Sequence, residues 1–355
     1  METGLASLKE DYRVYVFKKA VFMASCIVIA LLALGLSVSF GKFEIGFFES
    51  YRIIIDHLMG REPADSMKHF IVWELRLPRA LMAIAVGAGL GIGGAAMQSM
   101  MRNPLADPYT TGVASGASLG AAVAIILGVC LIPSVTGQSA IVVNAFFFSL
   151  IPATVIVLIS RYKKTTPTMI ILAGIGVMYI FSATTSLLML MADPNSLAEV
   201  YIWTVGSLGK ATWENIPVVI ACVIIGIVII QVNARNLNIL AMGDMNAISL
   251  GVNALRIRLV LLVTIALLTA GIVSFTGTIG FVGLVAPHIV RIFLGSDNRY
   301  LVPASASLGA ALLIVADCIA KEAGSTGLPV GVITAIIGGP IFLMILLKMK
   351  KSAWG

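Results

Sequence analysis

Charge is scarce in this chain. Only 12% of its 355 residues are Asp, Glu, Lys or Arg, where a soluble domain carries about 25%. So few polar groups could not cover an apolar content of 59% in water. Most soluble enzymes, disordered chains and disulfide scaffolds are therefore excluded. Histidine is limited to His57, His69 and His288. There is no HExxH and no paired carboxylate within an apolar run. No GxxxxGK[ST] loop exists, so the chain is not itself a Walker-type ATPase. No catalytic residue, metal ligand or bound cofactor is assigned. Cys26, Cys130, Cys222 and Cys318 fall in or beside apolar runs without a CxxC pair. They read as small core hydrophobes.

What remains is apolar sequence in long runs. A helix needs about 20 mostly apolar residues to cross a bilayer. Such runs cover 20–40, 78–100, 112–132, 141–160, 168–192, 214–232, 257–279, 301–320 and 329–347, with a shorter one at 281–294. Run 20–40 follows a basic tail but lacks a cleavage signature, so it reads as a retained first helix. The net charge of +7 concentrates at run ends, which points to membrane orientation rather than to nucleic acid. With ten crossings and an inner N-terminus, sixteen of the twenty-four basic residues fall inside. Lys163, Lys164, Lys350 and Lys351 are among them. The sequence therefore predicts an all-α polytopic fold of ten transmembrane helices with both termini cytoplasmic. Its parts are a tail at 1–19, one transmembrane domain at 20–349 and a tail at 350–355.

Between the runs, segment 41–77 is a charged amphipathic stretch on the outer side. Segment 233–256 is too polar to span. Its regularly spaced Leu240, Ala247 and Leu250 predict a short helix along the inner surface. The four-residue steps Gly87/Gly91 and Gly89/Gly93 suit close helix packing. Met97, Met100 and Met101 read as packing residues, or as adaptable contacts along a path. Pro104 and Pro108 make 102–108 a rigid break between spans. Asp317 reads as a helix-end or interhelical hydrogen-bonding group, and His288 beside Pro287 as structural or functional alike.

Six motifs occur in order: RLPR (76–79), GLGIGGAAMQ (89–98), RNPLADP (102–108), GVASGASLG (112–120), GTIGFVGLVAPHIVR (277–291) and LPVGVITAIIGGPIF (328–342). Together they resemble the FecCD family of permeases, the membrane subunits of ATP-binding-cassette importers for iron-siderophore, haem and cobalamin. The likeness runs from about residue 70 to 349. It implies the type II importer fold, a homodimer in a prokaryotic cytoplasmic membrane, and two ATPase subunits inside that bind ATP and Mg. It also implies an extracytoplasmic binding protein. By matched position, the inner gate would involve Asn103 and Leu105, with Thr166 and Thr168. The segment at about 236–251 would be the helix that couples to the ATPase, through Arg235, Leu240, Ala241, Met242, Gly243, Asp244, Ala247, Leu250 and Gly251. Arg76, Arg79 and Lys321 would meet acidic groups of the binding protein on the outer face. The outer gate would lie within 191–207. Gly327 stands where the family often has Glu. Rival readings are an ion-coupled transporter relying on Asp317, and a membrane scaffold without transport.

Overall fold

The computed structural model describes residues 2–62, 64–162, 166–324 and 327–348. The tail at 350–355 and the charges of Lys163, Lys164, Lys350 and Lys351 lie outside the described residues. Among those described, all regular structure is helical. The order is α1 Glu2–Ser39, α2 Phe47–Leu58, α3 Ser66–Phe70, α4 Leu77–Met101, α5 Val113–Leu127, α6 Gly137–Tyr162, α7 Pro167–Leu190 and α8 Pro194–Val205. It continues with α9 Ile216–Val232, α10 Ala234–Ala241, α11 Asp244–Ser249, α12 Ala254–Thr276, α13 Val282–Leu294, α14 Asn298–Glu322 and α15 Val330–Lys348. A π-helical stretch, Ile71–Arg76, joins α3 to α4, and a 3₁₀ turn, Pro108–Thr111, precedes α5.

Local chemistry sets these boundaries. Side chains of Asp65, Thr166, Asp193, Asn253 and Asp297 accept amide hydrogen bonds at the starts of α3, α7, α8, α12 and α14. Each of the ten apolar runs becomes one helix. Six helical segments are long and apolar enough to cross a membrane, and the α9–α10 pair, bent by 56°, makes a seventh. Helices α5, α13 and Val330–Met344 of α15 are apolar but shorter.

Helix α4 is the centre. Its faces meet α9, α12, α13 and α14. In the apolar window of Ser66–Met101, 78% of residues are buried, against 17% for α7, so α7 lies at the edge of the monomer. The glycines of α4 explain the close approach. Gly87 and Gly91 face the backbone of Gly309 and Ser305 on α14, while Gly89 faces Ile272 and Leu268 of α12. Met97, Met100 and Met101 are all buried in the main core, which fits the packing reading. The four cysteines are free thiols within or beside packed helices.

Candidate functional site

The C-terminal end of α4 stops where Arg102 takes a left-handed φ of 53°. Asn103 fixes the following turn, its Oδ1 accepting from the Leu105 amide at 2.9 Å. The chain then doubles back. Cβ atoms on Gly93 and Gly283 would lie 3.1 Å and 3.3 Å from the Pro108 ring. Gly93 is eight residues before the end of α4, about 12 Å along the helix. The stretch read as a short inner turn is thus a re-entrant loop, its second half enclosed by α4 and α13. Enclosed irregular backbone needs partners. Asp107 Oδ1 accepts from the Thr110 amide at 2.9 Å. The Tyr109 hydroxyl donates to Ile279 O at 3.1 Å and accepts from Ile279 N at 3.2 Å. Two breaks, one before α5 and one before α13, therefore satisfy each other. At the mouth of the loop Asn103 is half-buried and Leu105 exposed. Thr166 caps α7, and both it and Thr168 are exposed. The contact joining the loop to α7 is Thr110–Thr111 against Gly174, about two turns beyond those threonines.

On the same side, the single helix expected over 236–251 is two. Gly243 adopts φ 106°, a left-handed conformation that ends α10 and redirects the chain into α11. Leu240 and Ala247, expected to meet a partner, are fully buried against the protein's own core. Arg235, Ala241, Met242, Leu250 and Gly251 are exposed. Met245 and Ile248, missed in the sequence, complete an exposed apolar platform at 78% and 62% exposure. Their three-residue spacing opposite Ala247 was the available signal. Asp244 does not point outward alone. Arg258, 1% exposed, donates to Asp244 Oδ1 at 2.8 Å and to Met100 O at 3.3 Å. This hydrogen-bonded guanidinium holds the Asp244 carboxyl below the usual carboxylate range. Arg102 also reaches Gly243. The platform is thus pinned to the end of α4. A second tie runs through Asn238 of α10, which donates to Asp297 Oδ1 at 2.8 Å and accepts from the Asn298 amide at 2.8 Å. Arg299 holds the Asp297 carboxyl down at about 2. Ser99 of α4 closes the group, donating to Asn298 Oδ1 at 2.7 Å and accepting from Arg291 at 2.9 Å.

The opposite face carries the basic residues expected to meet a partner. Arg76 and Lys321 instead turn inward. The Arg76 guanidinium donates to Val38 O at 3.1 Å, to Ser39 O at 2.7 Å and to Phe43 O, so it caps the carbonyl end of α1. Lys321 Nζ donates to Ser37 Oγ at 2.7 Å and pairs with Asp317 at 3.3 Å. Arg79 pairs with Asp317 at 2.8 Å. Asp317 is fully buried between these two cations, which agrees with the hydrogen-bonding role read from sequence. Of the three basic residues only Arg79 keeps appreciable exposure, 22% of its side chain.

The predicted outer gate, 191–207, contains α8. Its C-terminal end is joined to the break before α13: Thr278 Oγ1 donates to Thr204 O at 2.6 Å and Ser207 N to Thr276 O at 2.8 Å. Gly331 N of α15 donates to Gly206 O at 3.1 Å. Gly206, Gly277 and Gly331 each sit where a Cβ would strike neighbouring backbone. Helix α7 exposes Gly176, Tyr179, Ser182, Ala183 and Ser186 at helical spacing, on a face bounded by exposed Leu172 and Leu190. The spacing Gly116–Ser118–Gly120 mimics a serine-hydrolase elbow, but Ser118 lies within α5 and donates to Ala114 O. Among the described residues no cluster of three His, Cys, Asp or Glu could hold a metal.

An all-helical bundle with this many apolar spans, an apolar platform at one end and paired breaks in its interior has the architecture of a polytopic membrane protein. The family model of the FecCD transport family matches residues 27–348, and the chain belongs to that family. The hemin transport system permease protein HmuU of Yersinia pestis is 36% identical over 331 residues, covering 93% of this chain and 96% of that protein. The cobalamin import system permease protein BtuC of Halobacterium salinarum is 40% identical over 284 residues, covering 80% and 75%. A solved transporter described as of metal-chelate type, in an inward-facing conformation, superposes with a TM-score of 0.80 at 26% identity. It covers 92% of this chain and 99% of its own.

Proposed function

We propose that this permease subunit moves a metal chelate (iron-siderophore, haem or cobalamin class) into the cytoplasm by alternating access. The path lies between two copies of the chain, in a prokaryotic cytoplasmic membrane. ATP and Mg are handled by two separate ATPase subunits that dock on the Met242–Leu250 platform. A binding protein delivers the chelate outside, with Arg79 the most accessible of its basic contacts. On this reading the six long spans, the bent α9–α10 pair and the three shorter apolar helices, all of suitable composition, each cross once, which gives ten crossings. The short helices α5 and α13 cross because their preceding loops are enclosed by protein rather than lipid. The inner gate is the Asn103–Leu105 turn with the start of α7.

The observation that carries this reading is the exposed stripe of α7. Tyr179, Ser182 and Ser186 place hydroxyls on the outside of a membrane helix. Facing lipid they would be costly, whereas facing a second copy across an aqueous path they are solvated. The test is aqueous thiol labelling of Ser182→Cys and Ser186→Cys in the assembled transporter, against Leu31→Cys on α1, which is 58% exposed among apolar neighbours. Labelling of the α7 positions alone supports the path. Equal protection at all three positions contradicts it.

A further inference from the structure

Helix α2 divides into three sectors. At about 100° per residue, Ser50, Ile53, Ile54 and His57 share one side. They face the protein: Ser50 is buried, Ile53 and Ile54 pack on Val38, Ile45 and Val72, and the His57 ring stacks on Trp73 at 3.7 Å. A second sector holds Glu49, Arg52 and Asp56. Glu49 pairs with Lys68 at 2.6 Å, and Asp56 with Arg52 at 3.5 Å and Arg61 at 2.9 Å. The third sector, an arc of about 120°, is apolar and open: Phe47, Phe48, Tyr51, Ile55, Leu58 and Met59. Phe48 is 85% exposed and Leu58 72%.

Depth comes from Tyr51. Its hydroxyl occupies the space beside Gly35 of α1, where a Cβ would stand. Gly35 is four residues before the end of α1, so Tyr51 reaches about 6 Å below that end. Beside the open arc, Leu32 and Leu36 of α1 and Phe40 and Phe43 just after its end are also exposed and apolar.

We propose that α2 is an interfacial helix whose Phe47–Met59 arc is immersed in the boundary between headgroups and acyl chains. With the end of α1 as the level of the headgroups, the reach of Tyr51 of about 6 Å matches the roughly 5–10 Å at which such helices sit, and the phenylalanines and tyrosine of α2 suit that zone. The Glu49–Asp56 sector faces water, and Arg52 at the margin meets lipid phosphates. The side of Ser50, Ile53, Ile54 and His57 fixes the bundle to this plane through Trp73. The lipid contact does not depend on the identity of the transported chelate.

The test uses the full transporter in nanodiscs, with an environment-sensitive fluorophore on Phe48→Cys or Leu58→Cys. Arg61→Cys, beyond the helix, serves as the aqueous control. Quenching by iodide is compared with quenching by shallow nitroxide lipids. Immersion predicts at least about threefold lower iodide sensitivity at Phe48 and Leu58 than at Arg61, together with strong quenching by the nitroxide lipid. Iodide sensitivity equal to the control overturns the proposal. Iodide protection without lipid quenching, or protection that requires added binding protein, puts a protein on this arc and also overturns it. Leu58→Cys decides the matter if Phe48→Cys does not assemble.

Discussion

Removing Asp317 is the perturbation whose cost follows most directly from the geometry. The carboxylate is fully buried, contacts Arg79 at 2.8 Å and Lys321 at 3.3 Å, and joins α4 to α14. Asp317→Asn keeps the volume and removes the negative charge. Lys321, whose side chain is 6% exposed, is then a nearly dry cation without a counter-charge, left with neutral acceptors on Ser37 and the new amide. Breaking a buried pair in this way costs about 3–5 kcal/mol. Arg79 adds less, because its partial exposure lets water screen it. The expected loss is therefore about 3–5 kcal/mol in reversible unfolding by SDS from mixed micelles, extrapolated linearly. The triple variant Arg79→Met, Asp317→Leu, Lys321→Met removes all three charges together. It should recover most of that loss, since a well-packed apolar replacement is often neutral or better. A loss below about 1 kcal/mol for Asp317→Asn would refute the reasoning, because that is the value of a solvated pair.

Three further outcomes can be checked. Gly91→Ala would drive a methyl into the Ser305 carbonyl, whereas Gly89→Ala meets only the movable ends of Ile272, Val223 and Leu268. Gly91→Ala should lower folded yield sharply by size-exclusion chromatography, and Gly89→Ala far less. Met245→Asp with Ile248→Asp should leave folding intact, since both side chains are exposed, but should reduce association with the ATPase subunits tenfold or more in a pull-down titration, roughly 1.4 kcal/mol. The Asp244 carboxyl is lowered by Arg258, so its stabilisation is present above the unfolded value of about 3.9 and is lost as pH falls through the folded value. Wild type should therefore lose stability below about pH 4 more steeply than Asp244→Asn, by about 1 kcal/mol after allowing for solvent screening of this half-open group.

Much of the fold was legible because apolar runs are long and local. Each of the ten runs became one helix, and Gly87/Gly91 packed as their spacing indicates. What was not legible is direction around a helix axis and contact across sequence distance. Periodicity marked Leu240 and Ala247 as apolar, but could not say that they face the core while Met245 and Ile248 face out. Arg79 and Asp317 are 238 residues apart, so the matched position that suggested an outward contact gave no sign of the buried carboxylate with which the arginine pairs. Arg76 serves carbonyls at the end of α1, a need that exists only once the helices are assembled. The fold-back of 102–112 was hidden for a related reason: proline indicates a break, and the glycines that receive it, Gly93 and Gly283, lie on other helices. Asp244 looked like a free polar flank because its partner, Arg258, belongs to the next span.

The central claim is ATP-driven import through this subunit, and uptake tests it most directly. The chain is reconstituted into proteoliposomes with its ATPase and binding protein, and accumulation of labelled iron-siderophore, haem and cobalamin is measured. At least one chelate should accumulate only when ATP and the binding protein are both present, and Met245→Asp with Ile248→Asp should abolish that accumulation. Uptake that ignores both ATP and the binding protein, or that follows an ion gradient instead, would contradict the account.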